Sequence, residues 1–480
     1  MLLVNVLVEP RPTRPIPTTG ATMRFVQYYL DCLSQASYLV ADDTTGQAVI
    51  VDPRRDVAEY LADAREHGLT IVGIINTHFH ADFVSGHLEL ARETGAWIGY
   101  GEAATAEFET RALVDGERIS LGDVTLEIMA TPGHTPESIS VLVLEHADDA
   151  VAYGVLTGDA LFIGDVGRPD LLASVGVTAD ELGRMLYDSV QRKLMGLPDA
   201  VRVFPAHGAG SACGKNLSTE RQSTIGEQRA FNYACQPMSE EQFVAVVTEG
   251  QPAAPEYFLY NATLNKEVRD VRETDASIPA MTGAQVDAAL RDGAVLVDVR
   301  GQQDYAAGHL VGSLSIPTDG RLAETVGTVL RPDEPVVLAG GDDEVQESAI
   351  RFARIGFDRV LGYVDDLETY LLERQGRVGP TSRVTVDQLG RAMRDGDVQV
   401  VDLRNDGELE VGTIPGATHL PMAQLRARLD ELDRSRPVVL HCAGGWRSNV
   451  AASVLRREGF ADVSDLIGGY NAWALSPAGV

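Results

Sequence analysis

Apolar positions in residues 23–255 fall into short runs separated by turn residues, with helical spacing between some of them. Runs of strand length occur at Ser37–Val40, Ala48–Val51, Leu69–Asn76, Val124–Thr131, Ile139–Leu144 and Val151–Thr157. In Val57–Glu66 the apolar residues Val57, Tyr60, Leu61 and Ala64 recur every three or four positions, which places them on one face of a helix, and Ala179–Leu194 reads the same way. The pattern predicts one α/β unit over 23–255. Pro, Thr and Asp then accumulate, so residues 256–282 read as a linker.

An internal repeat follows. Leu296-Val297-Asp298-Val299-Arg300 recurs as Val400-Val401-Asp402-Leu403-Arg404, Gly308-His309-Leu310-Val311-Gly312 as Gly412-Thr413-Ile414-Pro415-Gly416, and Pro335-Val336-Val337-Leu338 as Pro437-Val438-Val439-Leu440. Each copy continues through a helix ending in Gly-Phe, at Gly356-Phe357 and Gly459-Phe460. Alternating strand and helix predicts two α/β domains with parallel sheets, over 283–376 and 383–480.

A length of 480 residues suits about three domains at roughly 150 residues each. No apolar run approaches membrane-spanning length. Residues 1–22 lack a basic start and a small-residue cleavage site and contain Pro10, Pro12, Pro15 and Pro17, so a disordered extension and a cytoplasmic protein are expected. The formal net charge of −30 argues against nucleic-acid or anionic-membrane partners. The four cysteines, Cys32, Cys213, Cys235 and Cys442, show no disulfide or zinc-ribbon spacing. A homo-oligomer is expected.

The chemistry-bearing residues lie where strands end. Thr77-His78-Phe79-His80-Ala81-Asp82-Phe83 alternates two histidines and an aspartate after one strand. Thr131-Pro132-Gly133-His134 places a histidine on a tight turn after another. Thr157-Gly158-Asp159 ends a third strand with a carboxylate, and Phe204-Pro205-Ala206-His207-Gly208 adds a further histidine. Four such motifs in this order resemble the metallo-β-lactamase superfamily over residues 23–255, which implies an αββα sandwich. That family's signature carries a histidine where Phe83 stands. A phenyl ring offers no lone pair, so a second metal loses a ligand.

Gly158-Asp159-Ala160-Leu161-Phe162-Ile163-Gly164-Asp165-Val166-Gly167-Arg168-Pro169-Asp170-Leu171 is similar to the persulfide dioxygenases of that superfamily. The resemblance implies one Fe(II) per chain held by His78, His134 and Asp159, a ligand set that leaves room for O2 and substrate. His80, Asp82 and His207 then orient ligands and water, or only satisfy hydrogen bonds. Arg168 is expected to pair with Asp165 or Asp170. Cys213, with Lys215 favouring its thiolate, is a weaker candidate for handling sulfur, and a packed cysteine is the blander alternative. Lys215, Arg221 and Arg229 are candidates for contacting a thiol carrier, with solvated surface charge the plainer reading.

His441-Cys442-Ala443-Gly444-Gly445-Trp446-Arg447-Ser448 runs from a strand into a helix. Backbone N–H groups of such a loop point inward and favour a thiolate at its start. Gly444 and Gly445 let the backbone curl, and Arg447 adds donors for an anionic sulfur substrate. With Asp402, Arg404 and Gly468-Gly469-Tyr470-Asn471-Ala472-Trp473, the segment resembles rhodanese domains, which implies sulfane sulfur carried on Cys442. Thr413 departs from the histidine common there. The first copy reads Leu338-Ala339-Gly340-Gly341-Asp342-Asp343-Glu344, with Gly340 aligned to Cys442, and holds no cysteine. It should be a catalytically inactive spacer or docking domain.

The combined resemblance is to fusions of a persulfide dioxygenase with an inactive and an active rhodanese domain. It implies oxidation of a low-molecular-weight thiol persulfide by O2 to sulfite and thiol, with Cys442 making or using thiosulfate. The rivals are a two-metal thioester hydrolase of the glyoxalase II type and a non-oxidative sulfur relay.

Overall fold

The computed structural model describes residues 22–171, 177–251, 254–273 and 276–476. All but Thr22 of the expected N-terminal extension therefore lies outside the described residues. The chain divides into two compact units, the first built from residues of 22–251 and 262–273, the second from residues 81–83, 254–261 and 276–476.

Two six-stranded sheets form the first unit. One runs Met23–Leu30, Gln35–Asp42, Gln47–Val51, Thr70–Ile75, Trp97–Gly101 and Arg111–Leu113 in that spatial order. The other runs Ser223–Thr224, Arg202–Pro205, Gly154–Gly158, Ile139–Leu144, Thr125–Ala130 and Arg118–Ser120. Side chains alternate across a strand, and the two faces have different partners. Ala36, Tyr38 and Val40 share a buried cluster with Ile139, Val141, Val143 and Leu156 of the facing sheet. Leu39 and Ala41, pointing the other way, meet Val57, Tyr60, Leu61 and Ala64, the apolar face expected on the helix Ala58–Glu66. On the far side, Leu142, Leu144 and Val155 pack under Leu186, Val190, Phe243 and Val247. Helix, sheet, sheet and helix layers result, an αββα sandwich.

The predicted helix Ala179–Leu194 is not uniform. A capping box between Thr178 and Glu181 opens an α-helix that ends at Tyr187, and wider turns continue over Asp188–Lys193. The Ser189 hydroxyl donates to the Pro132 carbonyl at 2.7 Å within those wider turns. Gly133, at φ +143°, meets the same helix, and a Cβ there would lie 2.4 Å from the Leu186 backbone. The helix thus seats the turn that carries His134.

Residues 256–282, expected to be a linker, contain a helix, Tyr257–Leu264, and a strand, Ala280–Met281. The Tyr257 ring packs where a Cβ on Gly327 would stand, 2.2 Å away. Pro, Thr and Asp around Tyr257-Phe258-Leu259-Tyr260 masked that short apolar run.

In the second unit the repeat becomes two parallel five-stranded sheets of the same order. The first copy runs Ala280–Met281, Val360–Val364, Val336–Ala339, Val295–Asp298 and Leu314–Ser315. The second runs Ser382–Val384, Val463–Leu466, Val438–His441, Gln399–Asp402 and Thr418–His419. Registers correspond as well: Asp298 pairs with Ala339 as Asp402 pairs with His441. Among the described residues no helix is long and apolar enough to cross a membrane.

Candidate metal centre and sulfur-transfer loop

His78 follows the strand Thr70–Ile75, and its orientation is set by a chain of hydrogen bonds. The Thr77 backbone N–H and hydroxyl donate to the Asp52 carboxylate at 2.7 and 2.9 Å. With its proton directed to Asp52, the Thr77 hydroxyl accepts from His78 Nδ1 at 3.0 Å, which leaves the His78 Nε2 lone pair facing inward. The Arg168 carbonyl, 2.9 Å from His134 Nδ1, fixes His134 in the same tautomer. His207 Nδ1 donates to Asp159 Oδ1 at 2.8 Å. His78 Nε2 and His134 Nε2 come to 3.8 and 3.5 Å from Asp159 Oδ2. That oxygen is buried and accepts no hydrogen bond from a described residue.

Two imidazole lone pairs and a carboxylate oxygen, all within 4.8 Å of one another, fit a divalent cation. Protonation states agree. Burial pushes His78 well below the ordinary imidazole range, with the neighbouring His80 adding to the effect. Burial alone would raise the Asp159 carboxyl, but the His207, His78 and His134 imidazoles hold it well below the usual carboxylate range. A neutral His78 and an ionised Asp159 are the forms that bind metal.

Glycines in the Gly158–Arg168 segment have steric causes. Gly158 sits at φ +52°, and a Cβ there would meet Thr77 Oγ1 at 2.7 Å. A Cβ on Gly167 would lie 2.0 Å from the Asp159 carbonyl oxygen and 3.0 Å from His134 Nδ1. Arg168 takes the Asp170 alternative, through two bonds of 2.7 and 2.6 Å. The Asp165 carboxylate instead accepts from the backbone N–H groups of Lys215 and Asn216 and from the Tyr233 hydroxyl.

His80 Nε2 lies 2.9 Å from Asp52 Oδ1. His80, Asp82, Phe83, His207 and Cys213 are all buried. Lys215, expected to favour a thiolate at Cys213, donates its ammonium to the Val246 and Glu249 carbonyls at 2.6 and 2.7 Å, closing the C-terminus of the helix Glu240–Thr248. Arg221 pairs with Asp31 and stacks on Tyr29, and Arg229 pairs with Asp199. For Cys235, burial pushes the thiol up to about 12, an inert side chain.

Two residues at the centre escape a reading of the sequence alone. Asp52 binds Thr77 and His80 from a backbone at φ +51°, strained for a non-glycine. Only its position at a strand end hinted at a role. Asn265 donates from Nδ2 to the His80 carbonyl at 2.8 Å and accepts the Ser85 N–H on Oδ1 at 2.8 Å, clasping both ends of the 80–85 segment. It lies in the supposed linker, where nothing marked it.

Cys442 closes the strand Val438–His441 and is buried. The Gly445 N–H, in a backbone at φ +103°, donates to Cys442 Sγ at 3.1 Å, and the Ser448 hydroxyl lies at 3.8 Å. Ala443 is half-buried and Gly444 is exposed. The Tyr470 and Asn471 N–H groups donate to the Cys442 and Ala443 carbonyls at 2.7 and 3.0 Å, clipping the loop. Gly469 makes the clip possible, since a Cβ there would meet those carbonyl oxygens at 2.4 and 2.6 Å. Both terminal nitrogens of Arg447 bind Glu408, at 2.7 and 2.6 Å, and its guanidinium also interacts with Cys442, so it stands beside the thiol and braces the loop at once.

In the first copy only Gly340 and Gly341 separate the strand Val336–Ala339 from the helix Asp342–Arg354, where the second copy has Cys442 to Gly445. A Cβ on Gly340 would lie 2.7 Å from Val299 Cγ2. The shorter loop has neither a thiol nor room for one without a shift of Val299.

Comparison with known proteins agrees with both halves. The family model of the metallo-beta-lactamase superfamily matches residues 30–207, and that of the rhodanese-like domain matches 282–370 and 385–476. The mitochondrial persulfide dioxygenase ETHE1 of Bos taurus is 31% identical over 233 residues, covering 48% of this chain and 82% of that protein. A hydroxyacylglutathione hydrolase of Rhodospirillum rubrum is 35% identical over 173 residues, covering 35% of this chain and 60% of its own. The crystal structure of a metallo-beta-lactamase from Staphylococcus aureus superposes with a TM-score of 0.64 at 34% identity, covering 71% of this chain and 98% of that one. Persulfide dioxygenase relatives and rhodanese-like domains on one chain make this an enzyme of sulfur metabolism. The chain belongs to the persulfide dioxygenase family of the metallo-β-lactamase superfamily, fused to two rhodanese-like domains.

Proposed function

We propose that the first unit is an Fe(II)-dependent dioxygenase that oxidises the terminal sulfur of a low-molecular-weight thiol persulfide with O2, and that Cys442 transfers sulfane sulfur to or from thiosulfate. The observation that carries the first half is the buried convergence of His78, His134 and Asp159, whose lone pairs are aimed at one point by Thr77, Asp52 and the Arg168 carbonyl. Iron bound by two histidines and one carboxylate supplies open positions for O2 and a sulfur ligand. The chain's own groups do the rest. Asp159 stays ionised, His78 stays neutral, and His207 holds the non-ligating oxygen of Asp159. Phe83 brings no lone pair where two-metal relatives carry a histidine. In the overall change both atoms of O2 and one water oxygen end on sulfur, the S–S bond breaks, and the carrier leaves as the thiol.

At Cys442 the Gly445 N–H meets the charge on sulfur as sulfane sulfur arrives or leaves. Transfer of that sulfur to sulfite forms thiosulfate and returns the Cys442 thiolate. Oxygen uptake by the iron-loaded protein with glutathione persulfide or coenzyme A persulfide tests the first half, with sulfite the expected product. The Rhodospirillum relative favours a second reading, thioester hydrolysis by two metals. Two bound zincs with thioester cleavage and no oxygen uptake would establish that reading and overturn the first. Sulfur exchange at Cys442 with no oxygen uptake would leave only a relay.

A further inference from the structure

The copy without a cysteine touches the active copy at its sulfur-transfer loop. The Trp446 indole Nε1–H donates to Asp319 Oδ1 at 3.2 Å. Its ring lies on Gly320, where a Cβ would come 2.2 Å from Trp446 Cε2. Deeper in the same helix, Ser315 of the first copy holds Asn449 through its hydroxyl at 2.8 Å and Ser453 through its N–H at 3.0 Å. Ser315, Asn449 and Ser453 are all buried.

We infer that the first copy is a working part of the sulfur-transfer site: Asp319 and Gly320 are positioning residues that seat Trp446 and, through it, the Gly445 corner facing Cys442. The inference rests on the reading of Cys442 as the sulfur carrier. Trp446 is the first residue of the helix Trp446–Arg457, and Gly445 is its N-cap at φ +103°. A glycine in that region has no side chain to fix it, so its neighbours decide where its N–H points. The N–H that reaches Cys442 Sγ at 3.1 Å therefore depends on where the indole is held. A contact serving domain packing alone needs only the helix body, which Ser315 already anchors. The additional contact at the loop residue itself, with a glycine cleared for the ring, is what positioning requires. The first copy, though it lacks a cysteine, thus forms one wall of its neighbour's site.

The test uses the full chain, thiosulfate as sulfur donor and cyanide as acceptor. Gly320→Ala and Asp319→Ala should both shift the tryptophan emission assigned to Trp446 by difference from Trp446→Phe, with Trp97 and Trp473 as constant background. Both should raise KM for thiosulfate by about three- to tenfold, the worth of roughly one hydrogen bond. Oxygen uptake with persulfide should not change. Asp319→Asn keeps an acceptor oxygen and should restore both emission and KM. An unshifted emission, a shifted emission with unchanged KM, or a defect in Asp319→Asn equal to that in Asp319→Ala would each overturn the inference. Failure of the unmodified protein to move sulfur at all is a different result, and would overturn the Cys442 assignment itself.

Discussion

The His78–His134–Asp159 centre and the Cys442 loop are built in opposite ways. The centre draws on chain from Asp52 to Asn265, and almost every side chain in it is fixed by a hydrogen bond to a residue distant in sequence. The loop comes from one contiguous stretch after a strand, clipped by Gly469 and Tyr470, and its shape is set mainly by backbone and glycine, with Asp319 and Gly320 of the other repeat seating its Trp446 corner. A centre assembled from many strand ends fails when a supporting side chain is lost. A loop made of backbone fails when a Cβ is added.

The largest effects separate the two regions outright. Cys442→Ser should lower sulfur transfer on the order of 10³-fold or more while oxygen uptake continues, and His78→Ala should do the reverse. Loss of both activities in either variant would show that the regions work as one, and the contrast would break. Thr77→Val removes the hydroxyl that orients His78 and should weaken metal binding by about 10- to 100-fold in a chelator competition, leaving transfer at Cys442 intact. Gly469→Ala forces a side chain into φ +56° against two carbonyl oxygens and should cost about 1–3 kcal/mol in unfolding measurements. Its damage should fall on sulfur transfer and not on metal content.

The remaining effect is with pH. Burial, with Arg269 nearby, holds His87 of the first unit down to about 3, and burial holds His309 of the second down to about 4. Below about pH 6.5 the unfolded chain takes up protons on these imidazoles while the folded protein does not. Stability should therefore be level above pH 6.5 and decline as pH falls towards 3 for the His87 contribution and towards 4 for that of His309. His87→Phe should flatten the lower part of that decline in acid unfolding curves, and an unchanged curve would contradict the assignment.

Contiguity also decided what could be read in advance. The Cys442 loop was legible because its thiol, glycines and following helix are adjacent in sequence, and the duplicated sheets because their strands repeat. The ligand-type residues His78, His134 and Asp159 were legible because each closes a strand. Their supports were not. Asp52 acts through a left-handed backbone that no pattern of residue types announces, and Asn265 sits in a Pro- and Asp-rich stretch that looked like linker. The contacts of Lys215 and Arg447 were hidden for a related reason. A sequence shows that a cation is near a cysteine, but not that helix carbonyls or Glu408 already hold it. The Asp319–Trp446 contact joins two repeats more than a hundred residues apart and is visible only in three dimensions.

Whether one iron in the first unit oxidises persulfide sulfur is decided by oxygen uptake on the protein with its metal content determined in the same sample. Near one iron per chain is expected, with uptake on adding glutathione persulfide or coenzyme A persulfide and sulfite appearing in step. Two zincs per chain and no uptake with either persulfide would contradict it.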